Sequence, residues 1–191
     1  MIWRLVRLFA LAAAGVGLAW AVDRWLGGRQ QAEGDEAAPD PVRSAVEIGA
    51  PIEQVWVRLA DVERQPDWMH DLKWVRVATP GPIRVGTRAE SLVRILGIGV
   101  QDPIEVTLFL PPHDYAIRHE GLFRGSGVFR LEALDDGRTR VTWDETLIPP
   151  ILPNLLGLIQ APLLGRIFQA DLERFRDQLE SGVADLPGNP A

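Results

Sequence analysis

The feature that most constrains this chain is a change of period. After one alternating segment and a pair of short helical patterns, the apolar residues from Leu72 onward recur every second position through six successive runs. They are Lys73 to Val77, Thr87 to Leu96, Ile104 to Leu110, Tyr115 to Glu120, Gly127 to Leu134 and Arg138 to Leu147. Period two is the signature of strands that bury one face. The runs are joined by Pro80-Gly81-Pro82, Gly97-Ile98-Gly99, Pro111-Pro112-His113-Asp114 and Asp135-Asp136-Gly137. Connections this short and turn-forming pair neighbouring strands antiparallel, as a meander.

The preceding segment, Val42 to Ile48, also alternates, and Pro51 suits the first position of a helix in which Ile52, Val55, Trp56 and Leu59 recur at helical spacing to about Asp61. A second turn over Val62 to Trp68 contains Pro66. Past Pro149, Pro150 and Pro153 the sequence predicts a helical stretch over Asn154 to Gln160. A long helix then runs from Pro162 to about Ser181, with Leu164, Ile167, Phe168, Leu172, Phe175 and Leu179 as its apolar stripe and Gly182 as its stop. The expected fold is therefore α+β: a curved antiparallel sheet of about seven strands gripping a long C-terminal helix, because only that helix offers an apolar surface long enough to close the sheet.

The N-terminus is different in kind. Leu8 to Val22 is an uncharged run of fifteen residues, preceded by Arg4 and Arg7 and flanked by Trp3, Trp20 and Trp25. At 1.5 Å per residue it falls short of a hydrocarbon core of about 30 Å, but Arg4 and Arg7 can snorkel and lengthen it. Two readings follow: a retained single-pass anchor at 1–26, favoured by the tryptophans, or a secretory signal cleaved at Ala19-Trp20-Ala21. A buried helix of the domain is a third, poorer one, since no polar residue gives the run a wet face. Positive charge before the run and acidic residues after it place the domain on the extracytoplasmic side. Residues 27–41 (GGRQQAEGDEAAPDP) read as a flexible tether, 42–182 as the domain and 183–191 as a loose tail.

Composition removes several function classes. The net charge is −6, and the basic residues, 20 in number and all arginine but Lys73, form no cluster, which argues against nucleic acid as a partner. There is no cysteine, hence no disulfide, thiol nucleophile or thiolate metal site. The three histidines form no metal motif, and no Walker, HExxH or GxSxG sequence occurs, so neither a metal nor a cofactor is expected.

Several stretches carry a family resemblance. They are Ile48 to Trp56 (IGAPIEQVW), Asp61 to Trp68 (DVERQPDW), Val85 to Arg88 (VGTR), Gly125 to Glu132 (GSGVFRLE) and Thr139 to Trp143 (TRVTW). In this order they resemble the SRPBCC superfamily, the START-like or helix-grip fold, and within it the polyketide cyclase/dehydrase and lipid-transport group. The resemblance spans about Val42 to Gly182 and implies a hydrophobic cavity between sheet and helix. It does not choose between carriers and the cyclases of the same fold.

Within that frame the inward residues are the expected ligand contacts. Alternation puts Tyr115, Ile117 and His119 on one strand face, and Phe129, Leu131 and Trp143 are their counterparts further on. Phe109 (or Leu108 or Leu110), Trp68 and, at the cavity mouth, His70 complete the sheet side, with Leu163, Leu164 and Ile167 from the helix. His113 belongs to a solvated turn. A neutral His119, with the Tyr115 phenol two residues before it, has the chemistry to orient a ligand oxygen or act as a base, and Glu145 shares the inward face of its strand. These three are only weak catalytic candidates. The expected function is a membrane-tethered module binding a lipid, isoprenoid, quinone or polyketide-like molecule. The alternatives are a cyclase, dehydratase or hydrolase in the same cavity, and an interaction domain with a collapsed core. Small and breaking residues at Gly157, Pro162 and Gly165 suggest a gate.

Overall fold

The computed structural model describes residues 15–28, 40–95 and 97–182. Residues 15–28 form helix α1. Then follow β1 (Val42–Ile48), α2 (Ile52–Leu59), a 3₁₀ helix (Val62–Asp67), β2 (Leu72–Val77), β3 (Arg88–Ile95), β4 (Ile98–Leu110), β5 (Asp114–Glu120), β6 (Arg124–Ala133), β7 (Thr139–Ile148) and α3 (Pro153–Glu180). The seven strands form one antiparallel sheet in the order β1-β7-β6-β5-β4-β3-β2. Strands β2 to β7 are thus a continuous meander, and β1 closes its far side against β7.

Alternation builds the core directly. Val46 and Ile48 of β1, Phe129 and Leu131 of β6, and Val141 and Trp143 of β7 face inward, where they meet Val55, Trp56 and Leu59 of α2 and Leu172 and Phe175 of α3. The α3 stripe behaves as its spacing predicts in its second half, with Leu172 and Phe175 fully buried. A bulge between Val106 and Leu108 shifts the parity of β4. The shift turns Phe109 inward, 5.3 Å from Trp56 and 6.1 Å from Tyr115, and leaves Leu110 exposed.

Three local expectations are corrected. Strand β4 starts at Ile98, not Ile104: the Gly97 turn, at φ 84°, lets Ile95 pair with Ile98. Pro103 is tolerated there because it lies beyond the last pair of the β4 ladder with β5, Ile104 with His119. Helix α3 is continuous from 153 to 180 and runs through Pro162; good helix formers on both sides resume the ladder after the bond that the proline removes. Helix α1 continues to residue 28, so Gly27 and Gly28 belong to it and not to a tether. The rest of the expected tether, 29–39, the tail 183–191 and the first part of the apolar run, 1–14, lie outside the described residues. Among the described residues no helix is long and apolar enough to cross a membrane.

Candidate functional site

The inner face divides into an aromatic part and a charged part, and the sheet register determines both. Trp68 enters from the end of the 3₁₀ helix and sits 4.8 Å from Phe175, 6.3 Å from Trp143 and 6.4 Å from Phe129, measured between ring centres. Phe129 stacks at 6.1 Å on Tyr115 and at 5.0 Å on Trp143, which in turn lies 4.4 Å from Phe168. Cross-strand pairing puts Tyr115, Phe129 and Trp143 in one row over β5, β6 and β7. Two polar atoms in this cluster, the Trp68 Nε1 and the Tyr115 hydroxyl, are buried without a hydrogen-bond partner among the described residues. Burial raises the Tyr115 pKa, so the phenol stays neutral and able to donate.

One row further along, β6 contributes no side chain. Gly127 pairs with Ile117 and Glu145, and Gly125 pairs with His119 and Leu147. A Cβ at Gly127 would stand 2.5 Å from Glu145 Oε2, and one at Gly125 would stand 1.8 Å from the Thr146 carbonyl oxygen. Gly127 therefore leaves a slot across which His119 on β5 reaches Glu145 on β7, while at Gly125, with φ 150°, the β7 backbone itself comes too close for any side chain.

The imidazole is held at both nitrogens. Nδ1 donates to Asp102 Oδ2 at 2.6 Å and Nε2 to Glu145 Oε1 at 2.9 Å, while Trp143 Nε1 donates to Glu145 Oε2 at 2.8 Å. Burial alone would favour the neutral ring. The hydrogen bonds and charges of the two carboxylates outweigh it and push the His119 pKa up to about 10. At neutral pH the group is an imidazolium between two carboxylates, with neither nitrogen free for a ligand. That corrects the expectation of a neutral, general-base His119. It also fixes Glu145 as a partner of His119 and Trp143.

The remaining expected contacts fall in different places. Leu131 is buried, Leu164 and Ile167 are half-buried, and Leu163 is 54% exposed, so it is not the enclosed ligand contact expected of it. His70 is exposed, with its backbone N–H bound to Asp171 Oδ1 at 3.0 Å. Asp171 is buried, which raises its pKa, and it accepts from Arg174 at 2.8 Å as well; Arg174 also donates to the Trp68 carbonyl, tying α3 to the end of the 3₁₀ helix. His113 is exposed in its turn, as expected. Among the described residues no cluster of histidine and carboxylate side chains could hold a metal ion.

Sequence reasoning missed Asp102, because Gly99 and Pro103 hide the strand period around it. It also missed what Gly125 and Gly127 do; the signal was present, since glycine at alternate positions of a strand clears one face.

A seven-stranded antiparallel sheet wrapped on a long C-terminal helix, with its inner face lined by aromatics, defines a START-like helix-grip protein. The model of the family described as polyketide cyclase / dehydrase and lipid transport matches residues 41–180. The chain belongs to that family. Among curated proteins it is similar to one of Mycobacterium tuberculosis named as a toxin, 23% identical over 133 residues, which are 69% of this chain and 92% of the other. Among solved structures it is similar to a Streptomyces aromatase/cyclase, at 21% identity and a TM-score of 0.62 over 78% of this chain and 98% of that one. A START superfamily protein of Mycobacterium smegmatis follows at 18% identity and a TM-score of 0.59, over 73% and 99%. At these identities the structural likeness shows the fold.

Proposed function

We propose that the protein is a membrane-tethered module that binds a hydrophobic small molecule between the sheet and α3 and does not turn it over. The family and fold support a site for an apolar ligand. The observation that carries the finer reading is the distribution of polar groups on the inner face. His119 and Glu145 are bonded at both of their polar atoms and Asp102 at Oδ2, leaving Asp102 Oδ1 buried without a partner, while two neutral donors, the Tyr115 hydroxyl and Trp68 Nε1, lie unpartnered beside Phe129. Such a lining suits a lipid, isoprenoid, quinone or polyketide-like molecule whose single oxygen accepts a hydrogen bond, and its histidine has no nitrogen free to act as a base. The uncharged run Leu8 to Val22 supplies the tether, with the domain on the extracytoplasmic side.

Native mass spectrometry of the full chain, purified from its host membranes in mild detergent, tests this. An apolar adduct that is lost in Phe129→Trp and retained in His119→Gln supports binding. A host lipid extract whose components are consumed by the wild type, but only bound by Tyr115→Phe, would support the cyclase or dehydratase reading, in which the aromatase/cyclase neighbour's chemistry and the Tyr115 phenol as acid take over.

A further inference from the structure

Helix α3 begins without a cap of its own. Its N-cap residue, Leu152, has an apolar side chain and a left-handed backbone at φ 48°, and its first turn contains no acidic residue. The missing acceptor comes from α1, 131 residues earlier. Asp23 is buried, and its Oδ1 accepts from the backbone N–H groups of Asn154 and Leu155, both at 2.9 Å. Asn154 Nδ2 returns two bonds, to the Asp23 carbonyl at 3.2 Å and to Oδ2 at 3.3 Å. Gly27 lies one turn on, where a Cβ would stand 3.0 Å from Asn154 Nδ2. A carboxylate that satisfies orphan N–H groups and meets the positive end of a helix dipole makes a directional joint.

The two sides of the joint differ in cover. On α1 the face of Val22, Asp23, Leu26 and Gly27 is turned to the domain, whereas Val16, Leu18 and Trp20 are at least 50% exposed. Those residues end the fifteen-residue uncharged run, which is apolar on every side and so offers no wet face to water. Arg24, two residues past its end, is exposed. An apolar run edged by tryptophan and arginine fits lipid better than the one-sided groove of a protein.

We infer that Asp23 locks α1 to the start of α3 so that this end of the domain lies against a lipid bilayer. The inference rests on the membrane tether proposed above and adds an orientation. The register gives the orientation its consequence: a Cβ at Gly165 of α3 would stand 3.5 Å from Val42 Cγ1, so the helix passes over the start of β1, and Val42 pairs with Glu145. The end of the sheet that carries the glycine slot and the His119 cluster is therefore the end facing lipid. An apolar molecule enters there from the bilayer.

The chain has no cysteine, so one introduced thiol can be labelled uniquely. Ile151→Cys, close to the joint and exposed, and Asp135→Cys, in the β6–β7 turn at the other end of the sheet, are each labelled with bimane in the otherwise intact chain. They are reconstituted in phosphatidylcholine/phosphatidylglycerol vesicles containing spin-labelled lipid. The expected result is several-fold stronger quenching at 151 than at 135. Adding Asp23→Ala or Asn154→Ala lowers it to the level at 135, while the protein still floats with the vesicles and keeps its far-ultraviolet dichroism. Asp23→Asn, which keeps a capping oxygen, retains most of the quenching. Wild-type chain that does not float removes the tether, and this inference with it. Chain that floats with equal quenching at both sites, or with quenching indifferent to both alanine variants, overturns the orientation alone.

Discussion

The two halves of α3 meet the sheet in contrasting ways. The second half presses Leu172 and Phe175 into a close-packed aromatic cluster and is pinned by Asp171 and Arg174 to the end of the 3₁₀ helix. The first half starts at a left-handed leucine, borrows its cap from α1 and leaves Leu163 on the surface. Beneath it the sheet carries two glycines and a charged cluster in place of rings. One end of the grip is built mainly from packing, which tolerates no loss of volume. The other is built from polar contacts, which depend on protonation and on a distant segment. A binding domain needs both, since a site that holds a ligand must also open, and low-stability regions are where opening is drawn from.

The largest effect expected is at the packed end. Phe175→Ala removes a fully buried ring that touches Trp68 and should lower unfolding free energy by about 3–5 kcal/mol, measured by urea denaturation. A loss of about half a kcal/mol would mean that the second half of α3 does not close the sheet as described.

The charged end should betray itself through pH. The His119 pKa rises from 6.5 to about 10 on folding. The stabilisation is therefore complete below about pH 6.5 and is lost as pH climbs toward 10, with a slope of up to about 1.4 kcal/mol per pH unit. Thermal melts across pH 6 to 10 should fall for the wild type and flatten for His119→Gln. An identical slope in both would place the titration elsewhere.

These two ends were not equally legible in the sequence. Period-two runs and a 3.6-period stripe are local patterns, so the seven strands, the α2 face and the buried Leu172 and Phe175 could be read directly. The charged cluster joins Asp102, His119 and Glu145 from three strands, and its geometry depends on β6 having no side chains at 125 and 127. Register of that kind is fixed by pairing, which a single sequence does not display. The bulge that turns Phe109 inward, the passage of α3 through Pro162 and the cap from Asp23 are likewise outcomes of tertiary packing overriding local propensity. His119 shows the risk most clearly. Its strand face was correctly inferred, yet its chemistry is inverted by two carboxylates that alternation alone does not bring to it.

A smaller change should follow from the joint. Asp23→Ala leaves the first N–H groups of α3 without an acceptor and should lower stability by about 0.5–2 kcal/mol. The loss should be confined to the early part of the helix, with hydrogen exchange accelerated at Asn154 and Leu155 and unchanged at Leu172 and Phe175. Equal acceleration along all of α3 would mean that the helix behaves as one unit and the contrast between its halves is not energetic.

The smallest effect on stability is expected inside the aromatic cluster. The Tyr115 hydroxyl is buried without a partner, and a buried polar group left unsatisfied costs about 1–3 kcal/mol relative to one that is bonded. Tyr115→Phe removes that group and keeps the ring stacked on Phe129, so the ligand-free protein should be as stable as the wild type or slightly more so. Binding should respond in the opposite sense. For an apolar ligand with one acceptor oxygen, losing the bond from Tyr115 should weaken affinity by about 0.5–1.5 kcal/mol, or roughly two- to tenfold, while a pure hydrocarbon of the same size should bind equally to both proteins. The test is a pair of titrations, with a long-chain alcohol or quinone and with the matching alkane, followed by tryptophan fluorescence. A difference for the first ligand and none for the second assigns the unpartnered hydroxyl to the ligand; equal affinities for both would leave the cluster as a packed core and transfer ligand recognition to the charged end under the first half of α3.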